Sequence, residues 1–109
     1  MRTMKAVRIH SYGCPEVLVY EDVLCPTPKE DEVLIRVHAS AVNSIDWRTR
    51  AGYLSGWWDY SLPLILGWDV SGVIEEVGSG VTQFKVGDAV YTLADFTRDG
   101  GYAEYIVVD

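Results

Sequence analysis

Positive charge and long apolar runs are scarce in this chain. It carries 9 lysines and arginines against 16 aspartates and glutamates, which gives a formal net charge of −7. A nucleic-acid-binding surface needs a cluster of lysine and arginine residues, and anionic membranes bind similar clusters. We therefore expect no nucleic-acid and no membrane partner. The longest apolar stretch, residues 62–66, contains Pro63 and is far too short to span a bilayer.

Cysteine and histidine, the main ligands of structural metal sites, are also scarce. The two cysteines, Cys14 and Cys25, each stand next to a proline, and the two histidines are His10 and His38. A zinc site needs three or four converging ligands, and this spacing matches no zinc pattern. Two reduced thiols are ordinary in the cytosol, and no signal-peptide pattern is visible, so we expect a cytoplasmic protein without zinc. Each histidine is expected to be a solvated strand residue.

The chain has the length and composition of one globular domain. Of its 109 residues, 49% are hydrophobic and 23% are charged, which is close to ordinary usage. This length can bury a core, but it leaves no room for a second domain of roughly 100 residues or more. Residues 1–109 are therefore expected to form a single domain.

Alternation of apolar and polar residues is the clearest structural signal. In residues 33–41 the odd positions are apolar and the even positions include Arg36, His38 and Ser40, which is typical of a strand with one buried face. Further strands are predicted at 6–10, 17–23, 70–77, 89–93 and 102–108. Many short strands separated by turns indicate a mostly β fold of the barrel type.

One short helix is predicted in the middle of the chain. Asn43 or Ser44 can cap its start, the helix would run through Arg50, and Gly52 would end it.

A glycine-rich segment, Gly78-Ser79-Gly80, looks like the start of a dinucleotide-binding fingerprint. Gln83 stands in place of the third glycine of that motif, and the following residues read as loop and turn rather than helix. We therefore predict a glycine turn between strands instead of a nucleotide site.

Five short segments carry a family resemblance, and they occur in the same order as in that family. They are Met4-Lys5-Ala6-Val7, residues 32–37 followed by 41–46, the segment from Leu66 to Gly78, the segment from Phe84 to Val90, and Gly100-Gly101-Tyr102-Ala103-Glu104-Tyr105. Together they resemble the N-terminal, substrate-side domain of the medium-chain dehydrogenase/reductase superfamily, which includes alcohol dehydrogenases and quinone oxidoreductases. The resemblance implies a GroES-like, partly open β-barrel with one or two short helices.

The same resemblance indicates the zinc-independent, quinone oxidoreductase-like branch. The family's zinc enzymes have a metal-binding histidine where this chain has Trp68, and an indole has no lone pair to give a cation. They also have a cysteine in the region that is residues 43–46 here, and four cysteines in a loop near residues 95–100. This chain has a cysteine in neither region. The resemblance therefore implies that both zinc sites are missing.

An activity is also implied, but for a longer protein. In that family a nucleotide-binding domain follows the matched segment, and residues 1–109 are not expected to contain it. The parent enzyme is expected to reduce a quinone, an enone or another conjugated carbonyl with NADPH or NADH, while this chain alone is expected to be inactive. The alternative is a stand-alone GroES-like module that binds a partner or self-assembles without catalysis. A reading frame that continues past Asp109 into a nucleotide-binding unit would favour the enzyme.

The residues expected at the cleft also follow from the resemblance. It implies that Asn43 lies near the nicotinamide as a cofactor-binding amide, with Asp46 nearby as a structural or ribose-side acceptor. Both residues also have a purely structural interpretation, Asn43 as a helix cap and Asp46 as a partner of the helix dipole. Trp47, Tyr53 and Trp68 complete the expected cleft. No residue is assigned as catalytic or as a metal ligand.

Aromatic residues are concentrated between positions 47 and 68, where Trp57, Trp58 and Tyr60 join the aromatic residues of the expected cleft. Uncharged ring faces suit a flat apolar substrate, although some of these rings must belong to the core. Trp57 and Trp58 are interpreted either as a substrate-side lid or partner contact, or as packing against the barrel or a covering domain. Without that domain an apolar face is exposed, so we predict self-association through residues 47–68 and 102–108.

Overall fold

The computed structural model describes residues 2–52, 62–95 and 98–109. These residues form two antiparallel sheets and one short α-helix. The first sheet, in the order β2-β1-β4, consists of β1 (Thr3–Ile9), β2 (Leu18–Leu24) and β4 (Leu64–Ile65). The second, in the order β6-β5-β3-β7, consists of β3 (Val33–Ala41), β5 (Asp69–Val77), β6 (Ala89–Leu93) and β7 (Tyr105–Val108). Helix α1 (Ser44–Ala51) follows β3, and the mostly β prediction with one or two short helices is confirmed.

The segment before β7 joins the two sheets into a partly open barrel. The N–H of Val7 in β1 donates to the carbonyl of Tyr102 at 2.7 Å, and the N–H of Glu104 donates to the carbonyl of Lys5 at 3.1 Å. On the other side, the N–H of Val37 in β3 donates to the carbonyl of Glu104 at 2.8 Å. Residues 102–104 therefore connect β1 with β3. The outer strands are β2 and β4 in the first sheet and β6 and β7 in the second.

The hydrophobic core lies between the inner faces of the two sheets. Each large aliphatic side chain buried there stabilises the fold by about 1.5–3 kcal/mol relative to an exposed one. The least exposed members of this cluster are Ile9, Ile35, Leu66, Trp68, Ile74 and Ile106. Both sheets contribute, so neither would bury its apolar face alone.

The alternation predicted for β3 holds only in part. Val33 and Ile35 are buried as expected, but Ala39 and Ala41 are exposed. The pairing of β3 with β5 shifts register between Val37 and Ala39. A bulge adds one residue to a strand and exchanges its faces beyond that point, which explains why the later odd positions do not belong to the core.

Most predicted strand boundaries are right to within a few residues. The strand predicted at 17–23 begins at Leu18, because Pro15–Val17 form a 3-10 turn. The strand predicted at 102–108 begins at Tyr105, because the preceding residues cross between the sheets. Strand β4 was not predicted, since its two residues directly follow Pro63 and show no alternation.

Helix α1 begins and ends at its predicted caps. Asn43 is the N-cap with extended backbone, and Gly52 is the C-cap with φ 89° in the left-handed region. The N–H of Gly52 donates to the carbonyls of Arg48 and Thr49. A left-handed terminal residue of this kind is usually glycine, which explains why the helix ends there.

The segment Gly78-Ser79-Gly80 forms the predicted turn between strands. The N–H of Gly78 donates to the carbonyl of Glu32 at 2.7 Å, and the N–H of Gly80 to the carbonyl of Glu30 at 2.8 Å. Residues 78–88 contain turns and loop but no helix. In the described ranges no helix is long and apolar enough to cross a membrane.

Candidate functional site

A buried carboxylate lies in the first turn of α1. Asp46 occupies the third helical position, where its Oδ2 accepts a hydrogen bond from the backbone N–H of Asn43 at 2.8 Å. Such a contact to the N-cap is one half of a capping box, and it fixes the side chain relative to the helix. Asp46 is only 3% exposed. Aspartate is almost never buried to this degree unless other groups satisfy it.

Tyr102 supplies the second hydrogen bond to this carboxylate. Its hydroxyl donates to Oδ2 of Asp46 at 2.6 Å, across 56 positions of sequence. The tyrosine is held from its own side, because its N–H donates to the carbonyl of Leu66 at 3.0 Å and its carbonyl accepts from Val7. The site therefore joins α1 to the strand-like segment that links the two sheets.

Gly67 makes room for the Tyr102 ring. It has φ 88°, and a Cβ added there would lie 2.3 Å from the ring atoms Cδ1 and Cε1 of Tyr102. Any side chain at this position would displace the ring from its seat and its hydroxyl from Asp46. The glycine thus serves both the backbone conformation and the position of the phenol.

The electrostatics of the pair keep Tyr102 in its neutral form. Burial raises the pKa of its phenol well above the usual range, and the hydrogen bond to Asp46 and the charges of Asp46 and Asp69 add to the effect. The phenol is therefore a hydrogen-bond donor rather than a source of protons near neutral pH. Oδ1 of Asp46 is also buried, and no group in the described part of the chain bonds to it. A buried acceptor of this kind is costly unless a donor reaches it.

Trp68 lies in the core. The residue is 1% exposed, and its indole Nε1 donates to the carbonyl of Arg98 at 2.9 Å. Arg98 is itself fixed, because its guanidinium lies 2.9 Å from the buried carboxylate of Glu32. The N–H of Lys29 and this guanidinium both hydrogen-bond the Glu32 carboxylate, which lowers its pKa below the ordinary value. The indole N–H of Trp68 is therefore bonded to the backbone of Arg98, which the ion pair with Glu32 holds in place.

Metal-ligating side chains do not cluster at this site in the part of the chain that the structure describes. Trp68 offers a donor instead of a lone pair, and the residues with known placement contain no group of three or more histidine, cysteine or carboxylate side chains that could hold an ion. His10 and His38 are both exposed, as predicted, and His10 contacts Glu21. Both cysteines are free thiols.

The predicted site residues differ in where they lie. Asn43, Asp46 and Trp47 come together at the first turn of α1, with Asn43 and Trp47 exposed; Trp47 is 42% exposed. Tyr53 lies outside the described residues, as do Trp57, Trp58 and Tyr60. The expected contribution of these residues and of Trp68 to a substrate cleft stays a prediction. Nothing in the sequence predicts the bond from Tyr102 to Asp46, although Tyr102 belongs to one of the five segments that carry the family resemblance.

A shallow, mainly apolar groove, whose lining also includes Ser40, Asp69 and Thr92, leads towards the same turn. It lies on the outer face of the second sheet, across β3, β5 and β6, and measures about 670 Å³. Its floor is formed by small side chains and its wall by two exposed residues of β6; the main members are Ala39, Ala41, Ser71, Tyr91 and Leu93. Because β3 runs directly into Asn43, the groove leads to the exposed amide of the predicted site.

The sequence comparisons identify similar proteins. Residues 29–109 match the family described as the alcohol dehydrogenase GroES-like domain. The quinone oxidoreductase of Sus scrofa is 44% identical over 105 residues, which cover 95% of this chain and 31% of that protein. The quinone oxidoreductase of Homo sapiens is 46% identical over the same shares of the two chains. The chain therefore spans about a third of the length of these curated relatives.

Solved structures show the same fold. The quinone oxidoreductase from Coxiella burnetii has a TM-score of 0.89 and 36% identity, covering 99% of this chain and 35% of that one. A thermostable alcohol dehydrogenase from Pyrobaculum aerophilum has a TM-score of 0.87 and 30% identity, with coverage of 98% and 39%. These similarities confirm the GroES-like fold and the resemblance to quinone oxidoreductases.

Proposed function

Because the chain belongs to the alcohol dehydrogenase GroES-like domain family, in its quinone oxidoreductase-like group, we propose that it forms the substrate side of the cleft in a zinc-independent, NAD(P)H-dependent reductase of quinones or enones. The relatives that support this are much longer, since the chain covers 31% of the Sus scrofa protein. The activity is therefore proposed for a longer protein, with this chain inactive alone.

The observation that carries the proposal is the buried, half-satisfied carboxylate of Asp46. Its Oδ2 has two donors, whereas Oδ1 has no partner in the described ranges. This carboxylate fixes the first turn of α1 and so holds the exposed amide of Asn43 at the surface, where it can hydrogen-bond a nicotinamide nucleotide. We assign NADPH as the cofactor, with NADH as the alternative; when bound, the nicotinamide supplies the hydride.

The other residues of the site have supporting roles in this proposal. The exposed Asn43 amide can donate to the oxygen of a carbonyl or quinone substrate. Tyr102 keeps its proton near neutral pH, so it positions Asp46 and does not protonate the product. The apolar groove and Trp47 offer a surface for a flat apolar substrate.

Zinc has no role in the proposed reaction. Trp68 donates its N–H to a backbone carbonyl and has no lone pair to offer, and the 43–46 segment contributes no thiolate. The substrate oxygen would therefore be oriented by hydrogen bonds and by the shape of the cleft.

The proposed partners are a small carbonyl or quinone substrate and a covering nucleotide-binding domain. Without that domain, self-association of the chain remains our expectation. We propose a cytoplasmic location, in keeping with two free thiols. The relatives vary in this respect, since one is named as a chloroplast envelope quinone oxidoreductase homolog of Arabidopsis thaliana.

A segment exchange tests the proposed function directly. This chain would replace the matching 105 residues of the human quinone oxidoreductase, to which it is 46% identical. The chimera is expected to oxidise NADPH with a quinone at a rate within about tenfold of the recipient enzyme, since contacts of the cleft change while the nucleotide site does not. Chelators are expected to leave the rate unchanged.

Two variants of the chimera define the site. Asp46→Asn should raise the KM for NADPH, whereas Asp22→Asn, which alters an exposed carboxylate of β2, should leave both KM and kcat unchanged. A folded chimera that still binds NADPH but reduces no quinone or enone would refute the proposal and favour a non-catalytic module.

A further inference from the structure

A second cavity lies at the opposite end of the barrel from Asp46. It measures about 540 Å³, and its deep wall is formed by the core side chains of Val33, Ile35 and Ile74. Val33 begins β3, whereas α1 follows the end of that nine-residue strand. At roughly 3.3 Å per residue, the two sites are on the order of 25 Å apart. The cavity borders the groove on the outer face of the second sheet, since Tyr91 and Thr92 line both, but its deep wall lies away from Asp46.

Two aromatic residues stand at the mouth of the cavity. Phe84 lies in the loop before β6 and is 47% exposed, and Tyr91 of β6 is 89% exposed. Exposure of a large ring beside an apolar cavity is unfavourable unless a ligand or partner covers it. The partly buried Val81 and Val90 continue the apolar wall between the rings and the core.

The charge at the mouth has one sign. Asp31 and Asp109 line it, and the described lining residues include no lysine, arginine or histidine. Asp109 lies 3.7 Å from Arg98, whose guanidinium is also bound to Glu32, and the Asp109 side chain is 78% exposed. Asp31 is exposed at the mouth, in a chain with a net charge of −7.

We propose that this cavity binds an organic cation with an apolar body, such as a protonated or quaternary amine on an aromatic ring. The apolar wall accepts the body, and a volume of 540 Å³ lies within the range of about 300–1,000 Å³ typical of small-molecule sites. Mouths of β-barrels are common places for such sites. The faces of Phe84 and Tyr91 attract a cation through their ring quadrupoles, and Asp31 adds a full negative charge. An anion of equal size would be repelled by Asp31 and by the ring faces.

Three ring compounds that differ in charge test this proposal. Benzyltrimethylammonium, benzyl alcohol and benzylsulfonate would each be titrated into the chain while amide shifts are followed by NMR. The cation is expected to shift the amides of Val81, Phe84 and Tyr91 and to bind at least about tenfold more tightly than the sulfonate. High salt should narrow this difference, since the carboxylates are exposed.

Matched variants separate the site from the overall charge of the chain. Asp31→Asn and Phe84→Ala should each weaken binding of the cation by roughly two- to fivefold. Glu16→Gln removes the same charge in the 3-10 turn, and Val86→Ala truncates an exposed side chain outside the cavity; both should leave the affinity unchanged.

Several results would overturn the proposal. They are equal affinity for the alcohol and the cation, equal loss in Glu16→Gln and Asp31→Asn, or shifts confined to the first turn of α1. Absence of any shift in a chain with a well-dispersed spectrum would overturn it as well. If Phe84→Ala fails to fold, Asp31→Asn alone still decides between a cation site and a merely apolar cavity.

Discussion

At the scale of single residues, the candidate site depends on the pair formed by Asp46 and Tyr102. The sequence predicts the position of Asp46 but not its contact with Tyr102. The spacing of Asn43 and Asp46 is visible as a helix-capping signal, so the position of Asp46 could be predicted. Its bond to Tyr102 crosses 56 positions and depends on how the sheets close. No local pattern encodes that closure, which is why the tyrosine was recognised as part of a motif but not as a partner of Asp46.

Loss of the Tyr102 hydroxyl should destabilise the fold. Tyr102→Phe keeps the ring beside Gly67 but leaves a buried carboxylate with one donor fewer, so we expect the free energy of unfolding to fall by about 1–3 kcal/mol. Urea denaturation would measure the change. Tyr20→Phe is the matched control, because Tyr20 is 70% exposed and its hydroxyl should contribute little. Equal stability of the Tyr102→Phe variant and the parent would mean that the hydrogen bond is not formed.

The same hydroxyl should give the chain an alkaline pH dependence. The folded-state pKa of Tyr102 is raised above its unfolded value, so its contribution is complete below the unfolded pKa of about 10 and is lost as pH rises through the folded pKa. We expect the stability of the parent to fall more steeply above about pH 10 than that of Tyr102→Phe. Urea titrations at a series of pH values would test this, and parallel curves would contradict it.

At the scale of elements, the predictions succeed where the signal is local. Both caps of helix α1 can be recognised in the sequence. Strands β5 and β6 coincide with short, mainly apolar runs that have turns on either side. The predictions fail where pairing decides the structure. The bulge near Val37 reverses the faces of β3, and the segment 102–104 pairs with two sheets at once instead of extending β7.

Gly67 is the residue on which the turn before β5 most depends. Gly67→Ala adds a strained backbone and a Cβ 2.3 Å from the Tyr102 ring, so we expect a loss of roughly 2–4 kcal/mol in the free energy of unfolding. Gly87→Ala is the matched control, because Gly87 has φ 96° but no atom within 4 Å of the added Cβ. It should cost only the backbone strain, about 1 kcal/mol. Equal losses in the two variants would show that contact with Tyr102 is unimportant.

At the scale of the whole molecule, metal removal should have no effect. The described residues assemble no group of three ligands, and Trp68 occupies the core with its N–H already bonded. We expect the purified chain to hold no stoichiometric zinc and its Tm to be unchanged by EDTA, because a structural zinc would contribute directly to folding. Elemental analysis that finds one tightly held zinc per chain would refute the zinc-independent assignment.

The whole chain should also bind NADPH weakly when alone. A pyrophosphate is usually held by the free N–H groups at a helix N-terminus, but the first turn of α1 is capped and carries the buried carboxylate of Asp46, which repels phosphate. The Gly78-Ser79-Gly80 turn opens no helix, and the N–H groups of Gly78 and Gly80 are bonded to the carbonyls of Glu32 and Glu30. Calorimetry should therefore give a Kd weaker than about 1 mM, because the few donors near Asn43 and Asp46 cannot replace a phosphate site. Micromolar affinity would show that this chain contains a nucleotide site of its own, and it would contradict the assignment of the domain to the substrate side of the cleft.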